Sequence, residues 1–169
     1  AESLAKKAIS HIHFLMIGDG PKRKELAKYL ITHNINNVTI DGPFPGKVIP
    51  EYWSLIDLAI IPLAPIETNK MVLPSKIIEA LAMGIPTLLY GPNGEARRFL
   101  SQSDIGWFIP GGDKGSLEKL FLSLSTDKQQ MLDQRGKSLK FAKNFSREKQ
   151  AEEFLAHLLS NNKQKLTTL

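Results

Sequence analysis

Five short apolar runs, at residues 12–17, 38–40, 57–62, 86–90 and 106–109, are each halted by glycine, proline or an acid and followed by polar-apolar spacing of helical period. A strand of four or five apolar residues with no polar alternation must be buried on both faces, and the helices between such strands are what cover them. The pattern therefore predicts an α/β fold, a doubly wound parallel sheet of Rossmann-like type. Residues 1–10 read as the end of a helix, and Pro21 suits a first helical turn because its missing N–H has no intrahelical partner there. Further helices are expected at 48–55, at 75–83 with Gly84 as the stop, and at 94–100. After Asp113 the chain reads as helical throughout: Leu117, Leu120, Phe121 and Leu124 mark one helix, Thr126 caps a second, and Ser146 with Glu148 opens a third carrying Phe154, Leu155, Leu158 and Leu159. One domain over residues 1–160 and a flexible tail at 161–169 follow from this reading.

Composition narrows the chemistry. The chain has no cysteine, which excludes disulfides, thiolate metal sites and cysteine nucleophiles. No window approaches the roughly 20 apolar residues of a membrane span, and the first ten residues lack a signal-peptide core, so a cytoplasmic location is expected. The net charge of +5 is spread along the chain. Its densest run, Lys137, Lys140, Lys143, Arg147 and Lys149, has the spacing of a solvated helix face, with attraction to an anionic membrane surface as the alternative. No aromatic and basic stripe points to nucleic acid. His11 and His13 stand two apart beside a strand without acidic partners, which suits surface histidines better than metal ligands. No nucleophile elbow, Ser-His-Asp arrangement or complete phosphate-binding lysine loop is present.

In a sheet of this kind ligands bind beyond the carboxyl ends of the strands, here the segments 18–21, 41–47, 62–76, 91–95 and 110–113. The first holds only Gly18-Asp19-Gly20, short of a dinucleotide fingerprint. The longest, 62–76, ends in Pro74-Ser75-Lys76 at the start of a helix, where unpaired N–H groups favour an anion such as a diphosphate. Glu79 lies one turn on, on the face of Ser75, with Ile77, Ile78, Leu81 and Ala82 as the core stripe. A carboxylate there suits two ribose hydroxyls. The alternative is purely structural: Ser75 as N-cap, Lys76 solvated, and Glu79 a favourable acid near a helix start. Arg97-Arg98 offers a weaker phosphate contact, and Trp53 and Trp107 read as core or cleft wall.

The stretch Leu73-Pro-Ser-Lys-Ile-Ile-Glu-Ala-Leu-Ala-Met-Gly-Ile-Pro-Thr87 resembles the donor-site signature of the retaining GT-B glycosyltransferases of family 4, or group 1. Around it, Phe14 to Pro21, Val38 to Gly42, and Tyr52 to Pro62 are similar to that family's second, third and fourth strands, and Gly94-Glu95 and Gly106 to Pro110 follow in order. The resemblance covers about residues 12–125 and implies the C-terminal, nucleotide-sugar-binding domain of a two-domain enzyme. It implies a substrate-binding set of Gly42, Phe44, Val72, Leu73, Pro74, Ser75, Lys76 and Glu79, with Glu79 on the ribose and no catalytic residue from this domain. A UDP-sugar donor, no cofactor and no metal requirement, and an acceptor glycan or lipid-linked saccharide held by an N-terminal domain are further implications. The version of the loop with Pro-Ser-Lys is similar to a bacterial subgroup making capsule, O-antigen and other surface polysaccharide.

The chain departs from the family twice. The first acid of the family's glutamate pair falls on Met71, and Glu67 is four residues too early to replace it. The family's first strand, with its phosphate-neutralising arginine and lysine, has no counterpart before His11; in the order 3-2-1-4-5-6 it is central, so its lack leaves strand edges open mid-sheet. The expected protein is thus a glycosyltransferase domain inactive on its own, with peripheral membrane association and a homodimer as its wider assembly. The competing reading is a non-catalytic interaction module or nucleotide-binding subunit completed by a partner chain.

Overall fold

The computed structural model describes residues 1–7, 9, 11–102 and 104–166. Its elements run α1 (Glu2–Lys6), β1 (Phe14–Ile17), α2 (Arg23–Thr32), β2 (Val38–Asp41), α3 (Ile49–Trp53), β3 (Ala59–Pro62), α4 (Ser75–Ala82), β4 (Thr87–Gly91), α5 (Glu95–Ser101), β5 (Trp107–Pro110), α6 (Lys114–Thr126), α7 (Lys128–Ala142) and α8 (Arg147–Leu166). Single 3-10 turns occupy Gly46–Val48, Glu67–Met71 and Lys143–Phe145. Every strand pairing is parallel, as the uninterrupted apolar runs require. The sheet, however, is in two pieces: β1 pairs with β2, and β3, β4 and β5 pair in that order.

Within the three-stranded piece successive residues turn to opposite faces, and each face has its own helices. Ile61 and Leu89 pack with Ile77 and Leu81 of α4, Ala96 and Leu100 of α5, and Phe141 of α7. Ile60, Leu88, Trp107 and Ile109 pack on the other face with Leu4 of α1 and Leu117, Leu120 and Phe121 of α6. Helices on both faces make the fold doubly wound. Leu88 and Leu89 are both fully buried, and each contributes about 2 kcal/mol of transfer free energy. Trp107 is a wall of this core, and Trp53 packs with Ala59, Ala80 and Ile85 in a third cluster.

Helix ends show where local chemistry decided. Gly84, at φ +68°, donates to Leu81 O while Ile85 N donates to Ala80 O, the paired bonds of a glycine-terminated helix, so the stop expected at Gly84 is where α4 ends. The start of α7 corrects the sequence reading: Asp127, not Thr126, is the cap, its carboxylate accepting from Gln130 N at 2.9 Å. Thr126 instead bonds back to Ser123 O inside α6. A carboxylate is the stronger acceptor for a helix-start N–H, and the competing hydroxyl is satisfied within the preceding turn. Ser146 accepts from Lys149 N at the start of α8. That helix continues to Leu166, past residue 160 where the sequence places the domain's end, and 167–169 lie outside the described residues. The core stripe of α4 is Ile77, Ala80 and Leu81, with Ile78 half-buried and Ala82 exposed. Pro21 lies in the turn before α2, whose first residue is Arg23.

Candidate functional site

Within each sheet piece the parallel strands present their carboxyl ends together, and the sequence-derived residues follow β2 in one piece and β3 in the other, in two groups. The first follows β2. Gly42 adopts φ +83° before a cis peptide to Pro43, and a Cβ at this position would lie 3.2 Å from the Phe44 ring and 3.3 Å from Gly18 N. Only glycine suits both the backbone angle and this close approach. Gly18 N donates to Asp41 O, and the Arg23 guanidinium donates to Gly18 O at 2.6 Å and Asp41 O at 3.4 Å, so one side chain ties the exits of β1 and β2 together. Phe44 then stacks on Tyr52 of α3, ring centroids 4.4 Å apart and planes inclined by 22°. Burial raises the Tyr52 phenol above its ordinary value, with Asp41 and Glu51 adding to the effect. Neither Arg23 nor Tyr52 was marked from sequence, because a helix-surface arginine and an aromatic in a five-residue helix carry no periodic signal.

The second group follows β3, in the long segment ending at α4. This segment is ordered by its own bonds: Asn69 Nδ2 donates to Ala64 O at 2.9 Å, Asn69 N to Ile66 O, and Lys70 pairs with Glu67 at 2.6 Å. It also presses on α5, where a Cβ on Gly94 would come within 2.1 Å of Lys70 O. The chain leaves this turn through Met71, which is 83% exposed, and through Val72 and Leu73, also exposed. Glu67 is thus held in its own ion pair, and no acid stands at position 71.

Pro74 is the N-cap of α4, and no side chain caps the helix. Ile77 N bonds to Pro74 O, which leaves the amides of Ser75 and Lys76 on an exposed turn. Ser75 is therefore not the cap that the structural alternative required. Its hydroxyl donates to Glu79 Oε1 at 3.1 Å, and Lys76 Nζ lies 3.8 Å from Glu79 Oε2. The Glu79 side chain remains 44% exposed, so the carboxylate is oriented from one side and open on the other. Two backbone donors on an exposed turn, the positive end of a helix dipole, a lysine and an oriented carboxylate make a patch whose chemistry suits an anion at one end and hydroxyl donors at the other. The two groups are linked through the helices that carry them, since Trp53, next to Tyr52, shares a cluster with Ala80, next to Glu79.

Other sequence candidates are engaged elsewhere. Arg97 lies over the Phe108 ring, 4.8 Å from its centroid, and Arg98 pairs with Glu95. His13 bonds Thr39 across the β1–β2 pair, and Lys137 pairs with Asp104. Beyond β4, Tyr90 Oη accepts from Gly112 N at 2.8 Å, joining the exits of β4 and β5. An open groove of about 540 Å³ lies between α2 and β2, lined by Leu30, Ile31, Ile35 and Val38, away from the strand exits.

A parallel, doubly wound sheet with helices on both faces, an uncapped helix start after β3 and an oriented acid one turn on defines an α/β domain of the Rossmann-like type. The family model for glycosyl transferases, group 1, matches residues 1–127, and the chain belongs to that family. Among solved structures it is similar to TarM, with a TM-score of 0.72 and 18% identity over 92% of this chain and 30% of that one. It is similar also to Anabaena Alr3699/HepE, solved with UDP-glucose, at TM-score 0.69 and 18% identity over 92% and 43%. The pneumococcal O-GlcNAc transferase GtfA, solved with UDP and GlcNAc, matches at TM-score 0.61 and 16% identity over 92% and 31%. These likenesses carry the fold, and the chain spans 30–43% of the length of those proteins. No curated protein matches it significantly. Among the described residues no helix is long and apolar enough to cross a membrane.

Proposed function

We propose that this chain is the donor-binding domain of a retaining glycosyltransferase, taking a nucleoside-diphosphate sugar, with UDP as the nucleotide, and transferring the sugar to a polysaccharide or lipid-linked acceptor. The observation that carries the reading is the uncapped start of α4, with the Ser75 and Lys76 amides exposed one turn from the Glu79 carboxylate. The diphosphate sits against those amides and Lys76, and Glu79 accepts from the ribose hydroxyls. Gly42 and the Phe44–Tyr52 pair border the base. Val72, Leu73 and Pro74 line the approach, and the exposed Met71 gives the sugar an apolar neighbour where an acid would have bound hydroxyls.

Transfer breaks the bond between the anomeric carbon and the diphosphate oxygen and forms one from that carbon to the acceptor hydroxyl oxygen, which gives up its proton. Negative charge develops on the leaving UDP. A helix start and Lys76 aimed at that charge stabilise it without a metal or cofactor. The acceptor is held by a separate domain, so this domain alone binds donor and does not turn over. We place the enzyme in the cytoplasm, peripheral to the inner membrane face, in bacterial surface-polysaccharide synthesis.

Calorimetric titration of the full-length gene product with UDP, GDP and ADP tests the reading. Selective heat with UDP is expected; equal or absent heats for all three would remove donor binding. A second reading, a non-catalytic module completed by a partner chain, draws on the open strand edges. Light scattering across concentration checks it, since a strictly monomeric folded species argues against it.

A further inference from the structure

Arg23 stands where local physics disfavours a cation. It opens α2 between Lys22 and Lys24, and no side chain caps that helix start. Positive charge at a helix N-terminus opposes the dipole. The side chain is half-buried, yet among the described residues no carboxylate pairs with it. Asp19 and Asp41, the acids at the exits of β1 and β2, accept instead from the amides of Gly20 and Gly42, each at 2.8 Å. The partners of Arg23 are main chain: Nη1 donates to Gly18 O at 2.6 Å and to Asp41 O at 3.4 Å. Breaks with local preference of this kind concentrate at functional sites.

The bonds close the end of a short ladder. β1 and β2 form a two-stranded piece with four residue pairs, and the end of so short a ladder frays readily. Gly18 N donates to Asp41 O at 3.0 Å as the last bond of that ladder, and Arg23 ties the same two residues from the side. Gly42 follows at φ +83°, where a Cβ would lie 3.3 Å from Gly18 N, so the backbone of one exit rests against the other. Two residues on, Phe44 stacks on Tyr52, 4.4 Å between ring centroids. The place of that aromatic pair relative to β1 is thus set through Asp41 and Gly42, and among the described residues Arg23 is the only side chain bonded to both exits.

We infer that Arg23 is a positioning residue for the nucleotide base: by holding Gly18 O and Asp41 O together it fixes the turn from Gly42 to Phe44, and with it the aromatic pair. The inference rests on the donor-binding reading, in which Phe44 and Tyr52 border the base. Arg23 itself bonds only main chain, and the residues assigned to diphosphate and ribose, Ser75, Lys76 and Glu79, belong to α4 in the other sheet piece's connections. Its contribution therefore falls on the base-dependent part of the affinity. A guanidinium suits this task because its planar nitrogen carries two hydrogens in fixed directions, one for each carbonyl, and its charge is permanent. A lysine ammonium keeps the charge and loses the fixed fork.

Calorimetry on the full-length gene product tests it, with UDP and with ribose 5-diphosphate, which keeps the sugar and both phosphates and lacks the base. Arg23→Met is expected to weaken UDP about tenfold and ribose 5-diphosphate less than about twofold. Arg23→Lys is expected to weaken UDP by about threefold, again with the base-free ligand unmoved; should Arg23→Met fail to fold, this comparison decides. Lys24→Met, which removes the neighbouring charge and no main-chain bond, should leave both ligands within about twofold of wild type. Hydrogen exchange gives a readout without ligand: in the Arg23 variants the Gly18 amide should exchange about tenfold faster, while Met16 in the middle of the same ladder is unchanged. UDP affinity unchanged in both Arg23 variants, or both ligands weakened equally, would overturn the positioning role, and so would an unaltered Gly18 amide. Wild-type protein that binds neither ligand would remove the donor-binding reading and this inference with it, whereas wild-type binding that ignores Arg23 counts against Arg23 alone.

Discussion

Replacing Glu79 with glutamine separates a binding role from a structural one, and the geometry sets both magnitudes. In the folded chain the carboxylate accepts from Ser75 Oγ and stands 3.8 Å from Lys76 Nζ, with 44% of the side chain exposed. Glutamine keeps an oxygen for the Ser75 hydroxyl and loses only the long, solvated ion contact, worth about 0.3–0.5 kcal/mol for a pair on a helix surface. Glu79 is the fifth residue of α4, so its interaction with the helix dipole has already decayed. For a domain of this size the melting temperature should fall by no more than about 2 °C. Binding is a different matter, because hydrogen bonds from two ribose hydroxyls to a carboxylate are each worth about 1.5–3 kcal/mol and glutamine retains one neutral acceptor. At 1.4 kcal/mol per decade, E79Q should weaken UDP at least tenfold. Calorimetry with UDP and 2′-deoxy-UDP on the full-length wild-type and E79Q proteins forms a double-mutant cycle. The deoxy ligand should lose affinity for wild type and lose little more for E79Q. Unchanged UDP affinity would refute the ribose assignment and leave Glu79 a structural acid.

Gly94→Ala should destabilise the domain by about 2–4 kcal/mol in urea denaturation, because the new methyl meets Lys70 O at 2.1 Å and backbone must move; UDP affinity should fall with it as the β3–α4 segment is displaced. Asp127→Ala should cost about 1 kcal/mol by loss of the α7 cap, and Thr126→Ala much less, measured by the same denaturation. Lys7 and then Ser3 hold the Glu118 carboxyl below its ordinary value of 4.5, so the stability it adds is complete above that pH and is lost as pH falls through the lowered value. The difference in melting temperature between wild type and Glu118→Gln should therefore be largest at neutral pH and close in acid.

Much of this architecture was legible because it is written in local periodicity. The five apolar runs became five strands, paired in parallel within each sheet piece, with ends shifted by a residue or two, and segments 41–47 and 62–76 follow the carboxyl ends of β2 and β3. Gly84 was readable as a stop because a positive φ there excludes most other residues. The cap of α7 was misread because Thr126 and Asp127 are adjacent and both can cap; only the bond from Thr126 back to Ser123 O shows which was already used. The candidate site was legible as residues and not as bonds. Whether Ser75 caps α4 or stands inside its first turn and bonds Glu79 depends on which residue is the last in extended conformation, here Pro74, and the clamp of Arg23 on the exits of β1 and β2 joins positions up to 18 residues apart in sequence.

By itself the sequence determined the class of fold and the order of its strands and helices, since apolar spacing along a helix or strand is a property of neighbouring residues. Which face is buried it determined less well, as Ala82 of α4 and Phe154, Leu155 and Leu159 of α8 are exposed. Only the tertiary structure decided that the sheet divides between β1 and β3, that Gly94 must admit Lys70, and that the start of α4 is left open. Those outcomes depend on which backbone groups find partners across the fold. A strand's hydrogen bonds go to residues distant in the chain, and no spacing within the strand records whether that partner is present.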